Sequence, residues 1–157
     1  PELIRWGFPP FKGKSVIINA RAETLQQKQM FRNPLVTGRC VIPSTGFYEW
    51  LHDSQKQKYL FNVPTTTALY MAGLYARYDS EYRFVIITVA ANADMLPIHN
   101  RMPLVLSHDG VSQWIRNNDG KLIINKLRSS GNVPGCLLFR SYEEFAYTLK
   151  WEGDASV

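Results

Sequence analysis

The chain has 157 residues, of which 45% are hydrophobic and 20% charged, and its net charge is +5. This balance is typical of one globular domain and excludes a disordered chain. No apolar run approaches the ~20 residues that span a bilayer, and no secretory signal is visible. The two cysteines, Cys40 and Cys136, are too few for a disulfide framework and indicate a reducing compartment. We therefore expect a single cytoplasmic domain over residues 1–157.

The positive charge is concentrated in the first third of the chain. Residues 5–39 contain seven Lys and Arg and a single acidic residue, Glu23. Residues 63–157 are balanced, with nine basic and nine acidic side chains. A positive first third suits a polyanion such as nucleic acid. A solvated basic surface is the other interpretation, and charge alone leaves both open.

Short strands dominate the predicted elements. Good helix formers occupy residues 22–32, and Asn33-Pro34 is predicted to end that helix. Aromatic and β-branched runs predict strands at 14–18, 39–42, 46–51, 58–63, 68–78 and 82–90. The last run is apolar on both faces, so we expect it at the centre of its sheet.

The remaining elements complete an α+β pattern. Turns are predicted at 53–56 and 79–81, and helices at 110–116 and 121–128, the second closed by Gly131. The first helix places Val111, Trp114 and Ile115 on a core-facing side. Because no helix separates the strands in the middle of the chain, the strands are expected to be mostly antiparallel.

Three segments carry polar residues at positions where a core strand would have apolar ones. They hold Asn19 with Arg21, Glu49 between two aromatic residues, and His99 with Arg101. Glu49 either faces solvent or is desolvated in a way that suits acid–base chemistry. His99 is either structural or catalytic. No two of the three histidines have metal-ligand spacing, so we expect no metal.

The basic and aromatic side chains of these regions have alternative interpretations. Arg21 and Arg101 suit phosphate contacts, or else form ion pairs with Glu23 or Asp94.

Trp6 and Phe11 offer ring faces on which bases stack, or else they close one end of the sheet. Cys40 and Cys136 follow the pattern of small buried hydrophobes. A hydrolase that uses Cys40 and His99 remains conceivable, although burial in a strand would raise the pKa of the thiol and make it a weaker nucleophile.

The ordered segments WGF-PP, INARAET, RCVIPSTGFYEW, AGLY, FVIITVAAN and IHNRMPLVL resemble the SRAP family of abasic-site processing proteins. The resemblance runs from Trp6 to Trp114. It implies a strongly curved, barrel-like sheet with flanking helices.

The resemblance also implies a chemistry. SRAP proteins bind single-stranded DNA and join the aldehyde of an abasic site in a thiazolidine. The nucleophile is an N-terminal Cys exposed by self-removal of the initiator Met, which implies peptidase and lyase-like activities. By motif position, Asn19 lines the pocket, Glu49 handles protons and His99 assists ring opening. We expect these three to converge in one positively lined cleft.

DNA contacts follow from the same resemblance. It implies backbone contacts at Arg21, Thr88 and Arg101, and places Phe11 near a base-stacking wedge. Trp6 is a further candidate for stacking because of its ring alone, not because of the resemblance. The expected partner is single-stranded DNA containing an abasic site. No cofactor is implied, a monomer is expected, and in a bacterium the protein would associate with the nucleoid.

One feature departs from the family pattern. The chain starts at Pro1 without a Met-Cys sequence, and neither Cys40 nor Cys136 has a free α-amine. We therefore expect an N-terminally incomplete domain whose reacting Cys lies upstream. A non-catalytic single-stranded DNA-binding relative is the alternative within the family.

Overall fold

The computed structural model describes residues 4–10, 13–51, 56–63, 68–117, 119–120 and 123–125, and the backbone of 138–141. The strands are β1 Arg5–Trp6, β2 Asn19–Arg21, β3 Arg39–Ser44, β4 Phe47–Trp50, β5 Lys58–Asn62, β6 Leu69–Tyr78, β7 Glu81–Ala90, β8 Arg101–Pro103, β9 Val105–Leu106 and β10 Leu138–Ser141. The helices are a 3-10 turn at Ala22–Thr24, α1 Gln29–Thr37 and α2 His108–Arg116. The α+β class is confirmed.

A seven-stranded sheet is organised around β7. Its path is β1-β7-β6-β3, with β2 and β8 also pairing with β7 and β9 with β6. The pairing of β6 with β7 and β9 is antiparallel, as predicted, whereas β1 and β2 run parallel to β7. The central position predicted for β7 is confirmed, because its residues 85–89 are buried. Within the described residues the sheet is curved but not closed.

A second, three-stranded sheet has the order β10-β5-β4 and is antiparallel throughout. Phe47 of β4 pairs with Phe61 of β5, and their rings stack with centroids 5.3 Å apart. Phe61 is completely buried. This aromatic pair fixes the side of the β4–β5 hairpin that faces its core.

The chain divides into two compact units. The first contains Pro1–Pro43, Tyr70–Val89 and Pro103–Gly135, and the second contains Ser44–Leu69, Ala90–Met102 and Cys136–Val157. Fully buried side chains of the first unit include Phe8, Leu25, Phe31, Leu35, Leu74, Ile87 and Trp114. Those of the second include Phe61 and Met95. That residues 1–157 form a single domain stays a prediction.

Helix α1 begins and ends later than predicted. The prediction of a helix over 22–32 that Asn33-Pro34 ends is wrong, because α1 includes Pro34. A proline inside a helix removes a hydrogen bond and costs about 3 kcal/mol. Here Phe31 and Leu35 are buried on the same helix, and burial stabilises each by about 1.5–3 kcal/mol. The free energy gained by burying Phe31 and Leu35 therefore exceeds the cost of placing Pro34 inside the helix.

Arg39 joins the carboxyl ends of α1 and α2. Its Nε donates to the Trp114 carbonyl at 2.7 Å, and its Nη1 donates to the Leu35 carbonyl at 2.8 Å. Its Nη2 donates to the Asn117 carbonyl. Its Nη1 also donates to the Val36 carbonyl at 3.3 Å. Desolvation lowers the pKa of Arg39 below its usual value, and the negative charge of Asp119 partly offsets this by raising the pKa. Helix ends leave their last carbonyls without partners, and one guanidinium reaches four carbonyls at these two ends.

Helix α2 begins at a side-chain cap. The Ser107 Oγ accepts a hydrogen bond from the Gly110 amide at 3.1 Å, and Asp109 and Arg116 complement the helix dipole. Trp114 is buried as predicted, whereas Ile115 is 45% exposed. Within the described ranges, no helix is both long and apolar enough to cross a membrane.

Other predicted elements shift or lie elsewhere. In the predicted strand 14–18, Ile17 forms an isolated bridge with Phe8, and the regular strand starts at Asn19. Residues 120 and 123–125 are helical, which agrees with part of the helix predicted at 121–128. Most of that helix, most of the turn at 53–56, Gly131 and Cys136 lie outside the described residues.

Candidate active site

Asn19 and Arg21 stand on one exposed face of β2. Ala20 between them is completely buried, so the alternation of the strand turns both polar side chains outward. Asn19 pairs with Ile86, and Arg21 pairs with Thr88. Among the described residues, no ion pair engages the Arg21 guanidinium. The predicted ion pair with Glu23 therefore does not account for Arg21.

Trp6 is held rigidly and is still half exposed. Its ring lies nearly parallel to that of Phe84, with centroids 6.3 Å apart, and its Nε1 donates to the Ile18 carbonyl at 3.0 Å. The residue remains 49% exposed. A fixed indole with an open surface suits base stacking.

Trp6, Asn19 and Arg21 form a line, which we call the exposed row. They pair with positions 84, 86 and 88 of β7, so they lie on one face of the sheet. Four residues of a strand span about 13 Å. The row therefore places an aromatic ring, an amide and a guanidinium side by side within the first unit.

One predicted DNA contact, Thr88, does not add to the exposed row. It is only 9% exposed, so its side chain offers little surface. Phe11 lies outside the described residues.

Glu49 lies on the half-buried face of β4. It pairs with Tyr59 across the hairpin and shares its face with Phe47 and the Phe47–Phe61 stack. Its sequence neighbours Tyr48 and Trp50 are exposed on the opposite face. The aromatic side chains on the face of Glu49 are therefore those of Tyr59 across the hairpin and of Phe47 two residues earlier, not those of its sequence neighbours.

The opposite face of the same hairpin holds a cation–aromatic cluster. The Lys58 Nζ lies 3.9 Å from the centroid of the Tyr48 ring and 5.8 Å from that of Trp50. Such contacts stabilise by about 0.5–1 kcal/mol at exposed sites. Tyr48 and Trp50 therefore pack with Lys58 rather than around Glu49.

His99 and Arg101 are joined through the Arg101 backbone. The His99 Nδ1 lies 3.0 Å from both the amide nitrogen and the carbonyl oxygen of Arg101. Both residues are half-buried and belong, like Glu49, to the second unit. The structure therefore brings together Trp6, Asn19 and Arg21 in one unit, and His99 with Arg101 in the other. Convergence of Asn19, Glu49 and His99 stays a prediction.

Cys40 is a poor nucleophile. It is half-buried on β3, and desolvation raises its pKa to about 12. At neutral pH the thiol is protonated, and the thiolate is the reactive form. A hydrolase built on Cys40 and His99 is therefore disfavoured.

Two residues near the site were not predicted from the sequence. Tyr59 becomes a neighbour of Glu49 only through the hairpin register. The Asn92 side chain accepts a hydrogen bond from the Met95 amide at 3.0 Å, in the turn that leads to His99. An Asn that precedes a tight turn is a recognisable signal, whereas the pairing of Tyr59 has none.

The family model described as SOS response associated peptidase (SRAP) matches residues 2–130. The chain belongs to the SRAP family.

Individual relatives agree with the family match. The chain is 40% identical over 124 residues to abasic site processing protein YoaM of Bacillus subtilis, covering 71% of this chain and 55% of that protein. It is 31% identical to abasic site processing protein YedK of Escherichia coli, covering 85% and 63%. A solved protein from Bacteroides thetaiotaomicron superimposes with a TM-score of 0.71 at 31% identity, covering 80% of this chain and 62% of that one. The chain thus spans little more than half the length of the first relatives.

Proposed function

We propose that the protein containing this chain binds single-stranded DNA and processes abasic sites by covalent attachment to the lesion. The exposed row is the observation that carries the proposal, because it combines a stacking surface with an exposed cation. Family membership and relatives named as abasic site processing proteins support the choice of lesion.

The proposed reaction is a condensation with the open-chain aldehyde. The α-amine of an N-terminal Cys attacks the aldehyde carbon, a C–N bond forms, and the carbonyl oxygen leaves as water. The thiol then adds across the C=N bond: the sulfur forms a C–S bond to the same carbon, which closes the thiazolidine, and the thiol proton passes to the nitrogen. Within this chain, Glu49 and His99 are the groups proposed to move these protons, with Asn19 lining the pocket.

The family resemblance supports a self-processing step before this reaction. Removal of the initiator Met frees the α-amine, so peptidase activity and lesion chemistry depend on one terminus. We propose Glu49 as the proton-handling group in both steps. Single-stranded DNA with an abasic site is the proposed partner, and the protein is proposed to act as a monomer.

The test uses the full-length gene product and a single-stranded oligonucleotide containing one abasic site. We expect an adduct that survives denaturing electrophoresis and disappears when the residue after the initiator Met is replaced. A tetrahydrofuran analogue, which has no aldehyde, is the matched substrate control. Binding of both oligonucleotides without an adduct would support a DNA-binding protein without chemistry and would contradict the proposal.

Arg21→Ala is expected to weaken binding to every single-stranded sequence tested. Loss of one phosphate contact should reduce the slope of log K against log salt by about 0.7. Fluorescence anisotropy at several salt concentrations measures both quantities. Arg32→Ala, which removes an equally exposed charge from α1, is the charge-matched control. An Arg21 variant with the slope of this control would contradict a phosphate contact.

A further inference from the structure

The segment before His99 is a compact turn that begins at Asn92. The Asn92 Oδ1 accepts from the Met95 amide at 3.0 Å, and its carbonyl accepts from the Leu96 amide at 2.9 Å. The Met95 carbonyl then accepts from the Ile98 and His99 amides, at 2.9 and 3.0 Å. The backbone position of His99 is thus two hydrogen-bonded steps from the Asn92 side chain.

Both ends of this turn are anchored. Met95 is completely buried and Ile98 is 7% exposed, so two apolar side chains hold the turn against the second unit's core. The Ala91 amide donates to the Asn100 carbonyl at 3.1 Å, which closes the loop at its base. Between these anchors the Asn92 side chain adds a side-chain hydrogen bond to the backbone hydrogen bonds of the turn.

The ring of His99 meets the Arg101 backbone at a single nitrogen. Its Nδ1 lies within hydrogen-bond distance of the Arg101 N–H and of the Arg101 carbonyl oxygen, which belong to two successive peptide groups. An unprotonated Nδ1 accepts from the N–H, and a protonated Nδ1 donates to the carbonyl. The Arg101 backbone therefore offers Nδ1 a partner in either state and holds the ring in one orientation.

We propose that Asn92 is a positioning residue for His99, which it serves by fixing the turn that holds the imidazole Nδ1 against the Arg101 backbone. The inference rests on the proposed function for its chemical consequence, since an imidazole held in one orientation is the group proposed to move a proton to or from the lesion's departing oxygen. The orientation of the ring does not depend on that function.

The experiment compares Asn92→Ala with Asn92→Asp, whose carboxylate still accepts from the Met95 amide. Nitrogen NMR of 15N-histidine-labelled full-length protein without DNA reports the tautomer, with His99 assigned by its loss in His99→Gln. We expect wild type and Asn92→Asp to give the same His99 ring-nitrogen shifts, and Asn92→Ala to give shifts moved towards those of an imidazole that averages over both tautomers. The adduct rate should fall about tenfold in Asn92→Ala and recover in Asn92→Asp.

Asn100→Ala is the matched control, because this exposed residue of the same loop contributes its backbone carbonyl to the turn. It should leave the tautomer unchanged. If Asn92→Ala does not fold, Asn92→Gln, which keeps the amide but not its reach, takes its place. If Asn92→Ala, or Asn92→Gln in its place, is folded and gives the wild-type His99 spectrum, the proposal is wrong. If the wild-type protein forms no adduct and Asn92→Ala still alters the His99 spectrum, the proposed function is refuted and the positioning role stands.

Discussion

Replacing Glu49 by Gln should slow adduct formation by about 10²–10⁴-fold, the usual contribution of a general acid–base group. Gln keeps the size and hydrogen-bonding capacity of Glu but cannot carry a transferable proton at neutral pH. Removal of the initiator Met should slow as well, because the same carboxylate is proposed for both steps. DNA affinity should be nearly unchanged, since the exposed row belongs to other strands.

The strand geometry makes this variant interpretable. Glu49 sits in a regular hairpin whose register pairs it with Tyr59, so the Gln side chain should keep the same face. Single-turnover electrophoresis measures the adduct rate at saturating DNA, and anisotropy measures binding. Glu23→Gln, an exposed carboxylate on the 3-10 turn, is the matched control. A large loss of affinity with an unchanged rate at saturation would argue against the acid–base role.

Arg39→Ala should lower the free energy of unfolding by about 3 kcal/mol or more. The variant leaves the carbonyls of Leu35, Trp114 and Asn117 without their donor, and each buried unsatisfied group costs about 1–3 kcal/mol. A Cβ on Gly120 would lie 2.1 Å from the Leu35 carbonyl oxygen and 2.8 Å from the Arg39 Nη1. The backbone around Arg39 is therefore already closely packed.

Urea unfolding followed by far-ultraviolet circular dichroism measures this loss. Arg39→Lys should recover only part of the stability, because an ammonium lacks the planar fork that reaches several carbonyls at once. Arg32→Ala, an exposed change on α1, should stay within about 0.5 kcal/mol of the wild type. If Arg39→Ala were no less stable than Arg32→Ala, the helix-joining role would be wrong.

The strands were predictable because their apolar residues are local and periodic. The segments around β3 to β7 lie within a few residues of their predicted bounds, and the doubly apolar run became the central strand β7. Helix α1 was not predictable in the same way. Its bounds depend on which side chains are buried by distant parts of the chain, and a rule about Pro34 cannot anticipate that burial.

The site was predictable as a set of residue types, but its geometry was not. Asn19, Glu49 and His99 stood out because polar groups interrupted apolar segments. The surroundings of Glu49 were misjudged, because Tyr48 and Trp50 adjoin it in sequence yet occupy the other strand face. The His99 Nδ1 contacts a backbone group, which every residue possesses, so no side-chain pattern could indicate this contact.

Because β1 and β2 pair in parallel with the same edge of β7, that strand sets the spacing between the residues of β1 and those of β2. Trp6 and Arg21 are separated by a stretch of chain that could vary in length, yet their spacing is set by four residues of another segment. Inserting one residue between positions 84 and 88 would turn one partner to the opposite face. The distance between Trp6 and Arg21 along the sheet therefore depends on β7 and not on the loop that connects the two residues.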